Sequence, residues 1–530
     1  MGKYLLKRLL HGLFSVVCVV LIVMVLIYSL LDRSKIFAGD PNFNHTASNN
    51  RITYQQTRWE AFGYLDYVPY ADYVNKLASS GEIDEETRAA AVKLGKTAEK
   101  DSEITAEYVA KFTEQYEADG YEVVRLDADT KRNGQVRDGG QQALFATKDI
   151  PLIKRAISYF TDMFFIDNVH YVPDSVDIGE RGIQFTLYDP VHNPEGAEKK
   201  VFSPAIIGNG TMHKYLLYVD DRFPFIHQNM LTLHLGESYT VNRGVDVFTT
   251  MTETQGSYVL DTITYPTGVT ADRADDLHSA TYVAGSREAT ASNKEWFTDD
   301  YTNVLTNKAG MSKLGYSFVI GIISVILAYV LGLPIGLAMA LRKDKLLDKL
   351  GTIYIMFIIA VPSLAYIFLF KALGGLAGLP TLFDMDSTGK LMYVLPIISL
   401  SLPSIANLMK WMRRYMIDQM NSDYVKFARS GGLSEGEIFT KHIWKNALIP
   451  IVHGIPGSVI FAMTGAIITE RVYVVPGAGN LLTQAINRYD NGVIVGVTLF
   501  YAVLSVVSLI LGDLLMATVD PRISFSTKER

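Results

Sequence analysis

The sequence predicts an α-helical polytopic membrane protein with six transmembrane helices and an α+β domain inserted between the first two. The first observation is a set of six segments that lack Asp, Glu, Lys and Arg over about 19 residues or more, close to what a helix needs to cross a hydrocarbon core. The second is that most of the charge, carried by 20% of the 530 residues, lies between the first two segments. Together these observations exclude the soluble classes. The six segments are Gly12–Leu31, Leu314–Leu341, Leu350–Phe370, Leu391–Met409, Asn446–Thr469 and Gly492–Leu511.

The charge is divided unevenly along the chain. Residues 32–311 hold 42 acidic and 27 basic residues, a net charge of −15, whereas the rest holds 13 acidic and 22 basic residues, a net charge of +9. This division is expected for a polar domain on one side of a bilayer and basic loops on the other. We therefore predict three parts: an N-terminus with the first span (1–31), a polar α+β domain (32–311) and a five-helix core (312–530).

The basic residues also predict the orientation, because short loops rich in Lys and Arg mark the cytoplasmic side. All four basic clusters fall on one side of the six spans, so we expect cytoplasmic termini and residues 32–311 outside the cell membrane. The first span could instead be a cleaved signal peptide, but its apolar run is longer than the usual core of about 7–15 residues. A retained anchor is the better interpretation. The clusters are Lys3, Lys7 and Arg8; Arg342, Lys343, Lys345 and Lys349; Lys410, Arg413, Arg414, Lys426, Arg429, Lys441 and Lys445; and Arg522, Lys528 and Arg530.

The predicted outer domain shows no recognisable chemistry. Glu82–Gly120 has a helical pattern, and Asp162–Val283 contains short β-branched and aromatic runs separated by turn residues, which indicates strands. Its histidines, among them His213, His227 and His234, show no metal-ligand spacing. The only cysteine of the chain, Cys18, lies in the first span, so no disulfide is expected. We expect neither catalytic nor metal-binding residues here.

Prolines and one histidine mark the predicted spans. Proline kinks a helix, and a membrane tolerates this where neighbours or a water-filled cavity satisfy the freed backbone groups. Such kinks fit a transport path and ordinary helix packing equally well. His453 is the only ionisable residue inside spans 2 to 6 and is a candidate functional group, although a hydrogen bond to a neighbouring helix explains it as well. The prolines are Pro334, Pro362, Pro396, Pro403, Pro450 and Pro456.

The loop at residues 421–450 is predicted to be structured. Asp423–Ser430 forms a short helical pattern that stops at two glycines, and Ser434 precedes Glu437 at the spacing of a capping box, which starts a second helix. One alternative is a basic amphipathic segment lying on anionic lipid. Another is a nucleophile elbow at Gly432–Gly436, but such an elbow needs a strand and a sheet that a helical loop lacks.

This loop resembles the EAA coupling motif of ABC-importer permeases, in the form found in oligopeptide and dipeptide permeases. That pattern has a tyrosine, then alanine-arginine-alanine-lysine-glycine-leucine, later arginine-histidine, and finally asparagine-alanine with a proline. Two positions depart from it, because Lys426 replaces the glutamate that names the motif and Gly431 replaces the usual lysine. The matching residues here are Tyr424, Ala428, Arg429, Ser430, Gly431, Gly432, Leu433, Lys441, His442, Asn446, Ala447 and Pro450.

Three other segments extend the resemblance. Leu233–Ser238 is similar to a glycine-acid-x-glycine-x-serine stretch of the B-type subunit, Glu470–Gly479 to the outer segment after span 5, and Asp520–Ile523 to the C-terminal ending. The best match is the B-type permease subunit of an oligopeptide importer (Opp/Ami type), in the Gram-positive branch that carries a large extracellular insertion. The resemblance implies the type I importer permease fold and no enzymatic activity.

The resemblance also implies partners and contact residues. The partners would be a C-type permease subunit, two ATPase subunits (D- and F-type), a surface-anchored oligopeptide-binding lipoprotein and membrane lipid, with no nucleic acid. ATP and Mg²⁺ would bind to the ATPases and no cofactor to this chain. From the size and position of the outer domain, our own hypothesis is that it helps form the docking surface or a roof over the translocation entrance, and a passive spacer is the alternative. The residues implied to contact an ATPase are Tyr424, Phe427, Ala428, Arg429, Gly432, Leu433, Lys441 and His442.

Two alternatives remain at the level of sequence. Dipeptides, nickel or glycans could replace oligopeptides, because the binding protein largely sets the selectivity of such importers. A membrane sensor with a ligand-binding outer domain is the alternative from another class, and it predicts a cytoplasmic output domain that the sequence does not suggest.

Overall fold

The fold is described from a computed structural model. It describes residues 2–193, 198–219, 225–253, 255, 261–264, 270–273, 275–282, 301–306, 311–384, 389–462 and 466–519. The predicted C-terminal segment Asp520–Ile523 lies outside these residues, as do parts of the predicted strand region after residue 253.

Four helices in the described part of the chain are long and apolar enough to cross a membrane, and they coincide with predicted spans 1, 2, 4 and 6. They contain α1 (Gly2–Leu30), α9 (Lys313–Leu341), α12 (Val394–Met420, preceded by a 3₁₀ turn at Lys390–Tyr393) and α19 (Asn491–Val519). Pro334 and Pro403 lie inside α9 and α12 without ending either helix.

The structure differs from the expectation of six continuous spans at the third and the fifth. The third is a pair of helices, α10 (Leu346–Ala360) and α11 (Ser363–Leu376), bent by 112°. Val361 at the bend has extended backbone angles (φ −84°, ψ 129°), because Pro362 after it disfavours the helical conformation. The fifth consists of α15 (Trp444–His453), α16 (Ile455–Phe461) and α17 (Ile467–Tyr473), with Gly454 between the first two.

Small residues bring the membrane helices together. At Gly332 and Gly336 of α9, an added Cβ would lie 2.8 Å from Leu408 Cβ and 2.8 Å from Met409 O of α12, respectively. Gly12 of α1 likewise packs directly on Val506 of α19. Close backbone approach of this kind is the usual source of helix association in membranes, because lipid provides no hydrophobic driving force between helices.

The first half of residues 32–311, called the polar segment below, forms an α+β unit. Strand β3 (Ala143–Asp149) pairs in an antiparallel manner with β1 (Leu65–Pro69) on one side and β2 (Glu122–Leu126) on the other. Helix α4 (Tyr70–Ser79) and helix α6 (Glu103–Ala118) bury Tyr70 and Phe112 against this sheet. The predicted helical region Glu82–Gly120 is divided into α5 and α6. The helices of this half are α2 (Pro41–His45), α3 (Ser48–Ala61), α4 (Tyr70–Ser79), α5 (Glu85–Ala91), α6 (Glu103–Ala118) and α7 (Leu152–Thr161).

The second half contains the short strands that the sequence predicts. Strands β5 (Gly182–Thr186), β6 (Ala205–Asn209), β7 (Tyr215–Val219) and β8 (Ile226–Gln228) form an antiparallel sheet in that order. A separate pair joins β12 (Asp275–Tyr282) to β13 (Tyr301–Thr306). The remaining described elements are β4 (Phe164–Ile166), β9 (Leu231–Leu233), β10 (Asp261–Thr264), β11 (Thr270–Arg273) and helix α8 (Val247–Thr252).

Candidate functional site

The segment 421–450, called the coupling loop below, folds as the sequence predicts. Helix α13 (Asp423–Ser430) ends at two glycines, and Gly432 has φ +83°, a conformation that glycine adopts without strain. The predicted capping box is present, because Ser434 Oγ accepts from Glu437 N at 3.3 Å while Ser434 N donates to Glu437 Oε2 at 3.2 Å. This box starts helix α14 (Glu435–Ile438).

The second half of the coupling loop continues into the membrane without a gap. Helix α14 is followed by a π-helical stretch, Phe439–Ile443, and then by α15. Lys441 and His442 lie in this π-helical stretch, a feature that often marks functional sites in helices. The coupling loop is therefore a folded unit joined to α12 at one end and to α15 at the other.

The apolar residues of the coupling loop are divided between two faces. Val425 and Ile438 are fully buried against Met412 and Met416 of α12 and Ala447 of α15. In contrast, Phe427 is 81% exposed and Leu433 is 38% exposed. The buried pair fixes the loop to the membrane helices, which leaves an aromatic and an aliphatic side chain at its surface.

The eight predicted contact residues are likewise divided. Arg429 pairs with Glu435 of the same loop at 2.5 Å, and Lys441 lies 3.5 Å from Glu437. Both basic residues therefore have acidic partners within the loop. The exposed members of the set are Phe427, Arg429, Gly432, Leu433 and Lys441, and the partly buried members are Tyr424, Ala428 and His442.

Tyr424 connects the two halves of the coupling loop. Its hydroxyl donates to Gln419 Oε1 at 2.6 Å and accepts from Asn446 Nδ2 at 3.1 Å. The ring of His442 lies 6.4 Å from the tyrosine ring. We assign these side chains to internal support of the loop. A second connection fixes α12 nearby, where Arg413 forms two hydrogen bonds to the buried carboxylate of Asp348 on α10.

A cavity of about 310 Å³ lies among α9, α12, α16 and α17. Two of these helices flank the coupling loop in the chain: α12 precedes it, and α16 follows it after α15. Its wall is largely apolar and carries several hydroxyl and amide groups. It can therefore contact a molecule whose surface combines apolar groups with uncharged polar groups. The polar lining residues are Ser317, Ser324, Tyr329, Ser404, Asn407, Ser458, Thr469 and Glu470.

Glu470 is the one carboxylate among the lining residues of this cavity. It is 2% exposed and accepts from Ser317 Oγ at 2.7 Å and from the backbone amides of Ala466 and Asn480, both at 3.1 Å. A Cβ at Gly477 would lie 2.5 Å from the carboxylate carbon of Glu470. The segment Glu470–Gly479 thus encloses the carboxylate of Glu470 closely. The sequence identified this segment only by its resemblance to the family.

The other predicted segment, Leu233–Ser238, contacts the start of α19. Asp490, which is fully buried, accepts from Ser238 Oγ at 2.8 Å and from the backbone amides of Tyr239, Thr240 and Val241 at 2.8–2.9 Å. The polar segment is therefore joined to the membrane helices by a buried carboxylate. Sequence reasoning missed Asp490, because no local pattern around it indicates a partner some 250 residues away.

His453 packs against α19, and among the described residues it belongs to no group of side chains that could hold a metal ion. Its Nδ1 is buried without a hydrogen-bond partner, and its ring packs on Gly512 of α19, where an added Cβ would lie 3.1 Å from His453 Cε1. We interpret it as a packing residue.

Comparisons with known proteins agree with this architecture. The family model of the binding-protein-dependent transport system inner membrane component matches residues 332–525. The oligopeptide transport system permease protein AmiC of Streptococcus pneumoniae is 33% identical over 100% of this chain and 99% of its own length. The dipeptide transport system permease protein DppB of Lactococcus lactis is 34% identical over 42% of this chain and 73% of its own length.

The match to AmiC includes the polar segment, whereas the match to DppB spans less than half of this chain. Among solved structures, an inward-facing MetNI methionine ABC transporter covers 39% of this chain and 94% of its own at 14% identity, with a TM-score of 0.31. The full-length identity to AmiC decides the assignment. The chain belongs to the binding-protein-dependent transport system inner membrane components: it is a multi-pass ABC-importer permease subunit, without enzymatic activity of its own, that works with separate ATPases and a substrate-binding protein.

Proposed function

We propose that this chain is the B-type permease subunit of an oligopeptide importer and forms half of the translocation path. Its coupling loop docks on one of two ATPase subunits (D- and F-type), which bind the ATP and Mg²⁺. A C-type permease provides the other half of the path, and a surface-anchored lipoprotein delivers the peptide to residues 32–311 outside the cell.

The coupling role rests on one observation: the coupling loop has one buried apolar face and one exposed apolar face. Val425 and Ile438 fix the loop to α12 and α15, while Phe427 and Leu433 remain exposed at its surface. Phe427, which is 81% exposed at the surface of the loop, is the side chain that we expect a partner to cover. A partner that moves this surface would move α12 and α15 with it.

The cavity supports a role for the same helices in translocation. Because α12 lines the cavity and continues into the coupling loop, a displacement of the loop would change the shape of the cavity. Hydroxyl and amide groups in its wall can bind the peptide backbone, which every peptide offers irrespective of its side chains.

The substrate class rests on the relatives. AmiC, which matches the whole chain, is named for oligopeptide transport, and DppB, which matches the shorter part, is named for dipeptide transport. The full-length match favours oligopeptides, and dipeptides are the second candidate.

The coupling role is tested with Phe427→Ala and Gly432→Asp in cells that depend on this chain for peptide uptake. Aspartate is among the residues that best tolerate a positive φ, so the second variant adds bulk and charge to the docking surface with little backbone strain. We expect both variants to reach the membrane at normal levels but to lose most uptake of a labelled five- or six-residue peptide and most substrate-stimulated ATPase activity.

The matched control is Phe14→Ala, because Phe14 is 69% exposed in the membrane span α1, where lipid covers exposed apolar side chains. This variant should transport normally. Normal uptake by both loop variants would exclude the docking role. If cells without the chain still take up the labelled hexapeptide but lose dipeptide uptake, the substrate class is dipeptides, and unchanged uptake of both would leave other solutes or a sensing role.

The orientation is tested by labelling single cysteines, since Cys18 is the only natural one. In a Cys18→Ser background, Asp138→Cys in the polar segment should react with a membrane-impermeant maleimide in intact cells. Ser430→Cys on the coupling loop should react only after permeabilisation. Both positions are exposed, so the opposite pattern would overturn the orientation.

A further inference from the structure

Three metal-binding side chains meet in the polar segment, away from the coupling loop and the cavity. Asp189 follows β5, His192 comes three residues later, and His278 lies on β12. One ligand atom from each lies within 4.8 Å of the other two. Asp189 Oδ2 is 3.6 Å from His192 Nδ1 and directly contacts His278 Nε2. The sequence predicts no metal site here because His278 is 89 residues from Asp189 and the topology alone brings them together.

Two of the three ligands are held in place by their surroundings. The other carboxylate oxygen of Asp189 accepts from Val191 N at 2.8 Å, and the Asp189 amide donates to Ser203 O at 2.9 Å. The ring of His278 is stacked on Tyr218, with the ring centres 4.2 Å apart. Contacts of this kind from neighbouring groups orient the ligands before an ion binds.

His192 has a ring nitrogen near Asp189 that is available to bind a metal ion. Its Nδ1 is buried and has no hydrogen-bond partner, while the side chain as a whole is 32% exposed. A buried imidazole nitrogen without a partner costs free energy unless something else satisfies it. A cation beside Asp189, which is fully buried, would satisfy both groups.

The donor set indicates the kind of ion. Two imidazole nitrogens and one carboxylate oxygen suit Zn²⁺, whose tetrahedral bonds of about 2.0–2.2 Å place neighbouring ligand atoms roughly 3.3 Å apart. Asp189 and His278 are buried and only the His192 side is open, so there is room for one further ligand such as water. A six-coordinate ion with three open positions would need more space.

We propose that Asp189, His192 and His278 bind one Zn²⁺ ion that fastens β12 to the four-stranded sheet. Two backbone contacts already join β12 to the four-stranded sheet, at the residues between β6 and β7. Tyr282 N donates to Met212 O at 2.6 Å, and His213 forms an isolated antiparallel β-bridge with Thr281. Strand β12 pairs with β13, which precedes α9. The ion therefore stabilises the part of the polar segment that leads back to the membrane core.

The test uses the full-length protein purified in detergent, stripped with a chelator and then dialysed against micromolar Zn²⁺. Metal content is measured by mass spectrometry, and Co²⁺ is substituted to detect the visible absorption of a four-coordinate site. His192→Gln removes the partly exposed ligand, so its folding is least at risk, and Asp189→Asn removes the carboxylate. The matched control is His170→Gln, an exposed histidine of the same segment.

We expect one Zn²⁺ per chain in the wild type and in His170→Gln, with at least about tenfold weaker binding in His192→Gln and Asp189→Asn. Zn²⁺ should also raise the unfolding temperature of the wild type but not of His192→Gln, because a ligand stabilises only the state that binds it. A wild type without stoichiometric Zn²⁺, or a His192→Gln variant that binds it equally well, would overturn the proposal.

Discussion

Glu470 and Gly477 show how a single residue pair builds a carboxylate site beside the cavity. Burying a carboxylate is costly unless hydrogen bonds compensate, and here a serine hydroxyl and backbone amides do so. The absence of a side chain at Gly477 makes the space. The pattern around these residues can be recognised in the sequence, but the reason for the glycine is visible only once the carboxylate is placed.

We expect Gly477→Ala to destabilise the protein by about 1–3 kcal/mol, the usual cost of overpacking, because the new methyl group would overlap the Glu470 carboxylate. Thermal unfolding of the purified protein measures this change. Gly39→Ala is the control, since an added Cβ there meets nothing within 4 Å. An equal unfolding temperature for both variants would contradict the steric account.

A second residue-scale feature is the ion pair of Arg125 and Asp101 in the polar segment. Hydrogen bonds from Arg125, at 2.6 and 2.8 Å, are the main cause that lowers the pKa of the Asp101 carboxyl group. A lowered pKa in the folded state stabilises the protein at pH values above the unfolded pKa of about 3.9, and this stabilisation is lost as the pH falls through the folded pKa.

Arg125→Gln should therefore lower the free energy of unfolding by about 1.5–3 kcal/mol at pH 7, the range for hydrogen bonds to charged groups. The difference from the wild type should shrink as the pH falls below about 3.9, where Asp101 becomes protonated in the unfolded state, and should vanish below the lowered pKa of Asp101 in the folded state. Denaturant unfolding at a series of pH values tests this, with exposed Arg132→Gln as the control. A difference that is constant with pH would rule out the charge of Asp101 as its source.

At the scale of elements, the coupling loop combines an anchoring face and an exposed face. The sequence indicates both helices, the glycine stop and the capping box. The apolar pattern alone does not separate buried Ile438 from exposed Phe427, because each is one apolar residue in a short amphipathic segment, although the family resemblance names only Phe427 as a contact residue. The packing of α12 and α15 makes that distinction.

Ile438→Ala should loosen the loop without unfolding the protein. It removes a fully buried side chain, at a cost of about 2–5 kcal/mol. Hydrogen exchange of the segment 423–443 should rise in this variant and stay unchanged in Phe427→Ala, although both should transport poorly. Unchanged exchange in Ile438→Ala would show that the buried face does not hold the loop.

The bend in the third span is also an element-scale feature. Pro362 is evident in the sequence, and its effect on Val361 follows from local sterics. The angle of 112° does not, because the packing of both half-helices decides it. One contact is specific: Lys371 of α11 donates to Val472 O on α17 at 2.7 Å, which ties the second half-helix to the cavity wall.

At the scale of the whole molecule, buried contacts around Asp490 join the polar segment to the membrane helices. Asp490 accepts hydrogen bonds from residues 238–241, and Gly492 and Gly496 let the backbone of Glu237 and Leu235 contact α19 directly. A large deletion such as Asn44–Gly210 would be a poor test of the role of the polar segment, because it removes β1–β6 but leaves β7 and β9, the partners of β6 and β4. A substitution at the connection is cleaner.

We expect Asp490→Asn to lower the free energy of unfolding by about 1.5–3 kcal/mol, because an amide can accept fewer of the hydrogen bonds that converge on the carboxylate. Limited proteolysis should cut the chain near residues 233–247 faster than in the wild type. Asp138→Asn, at an exposed carboxylate, serves as the control. Unaltered proteolysis and stability would mean that the connection does not depend on Asp490.

Composition and local pattern are enough to predict the apolar spans, the charge division, the mixed character of residues 32–311 and the helices and cap of the coupling loop. Periodicity and short-range hydrogen bonding are encoded within a few residues, so they can be predicted without the fold. The breaks in spans 3 and 5, the environment of Glu470, the connection at Asp490 and the contact of Asp189 with His278 become visible only in the folded chain. These depend on residues far apart in the chain whose contact is fixed by packing, and packing leaves no local pattern to read.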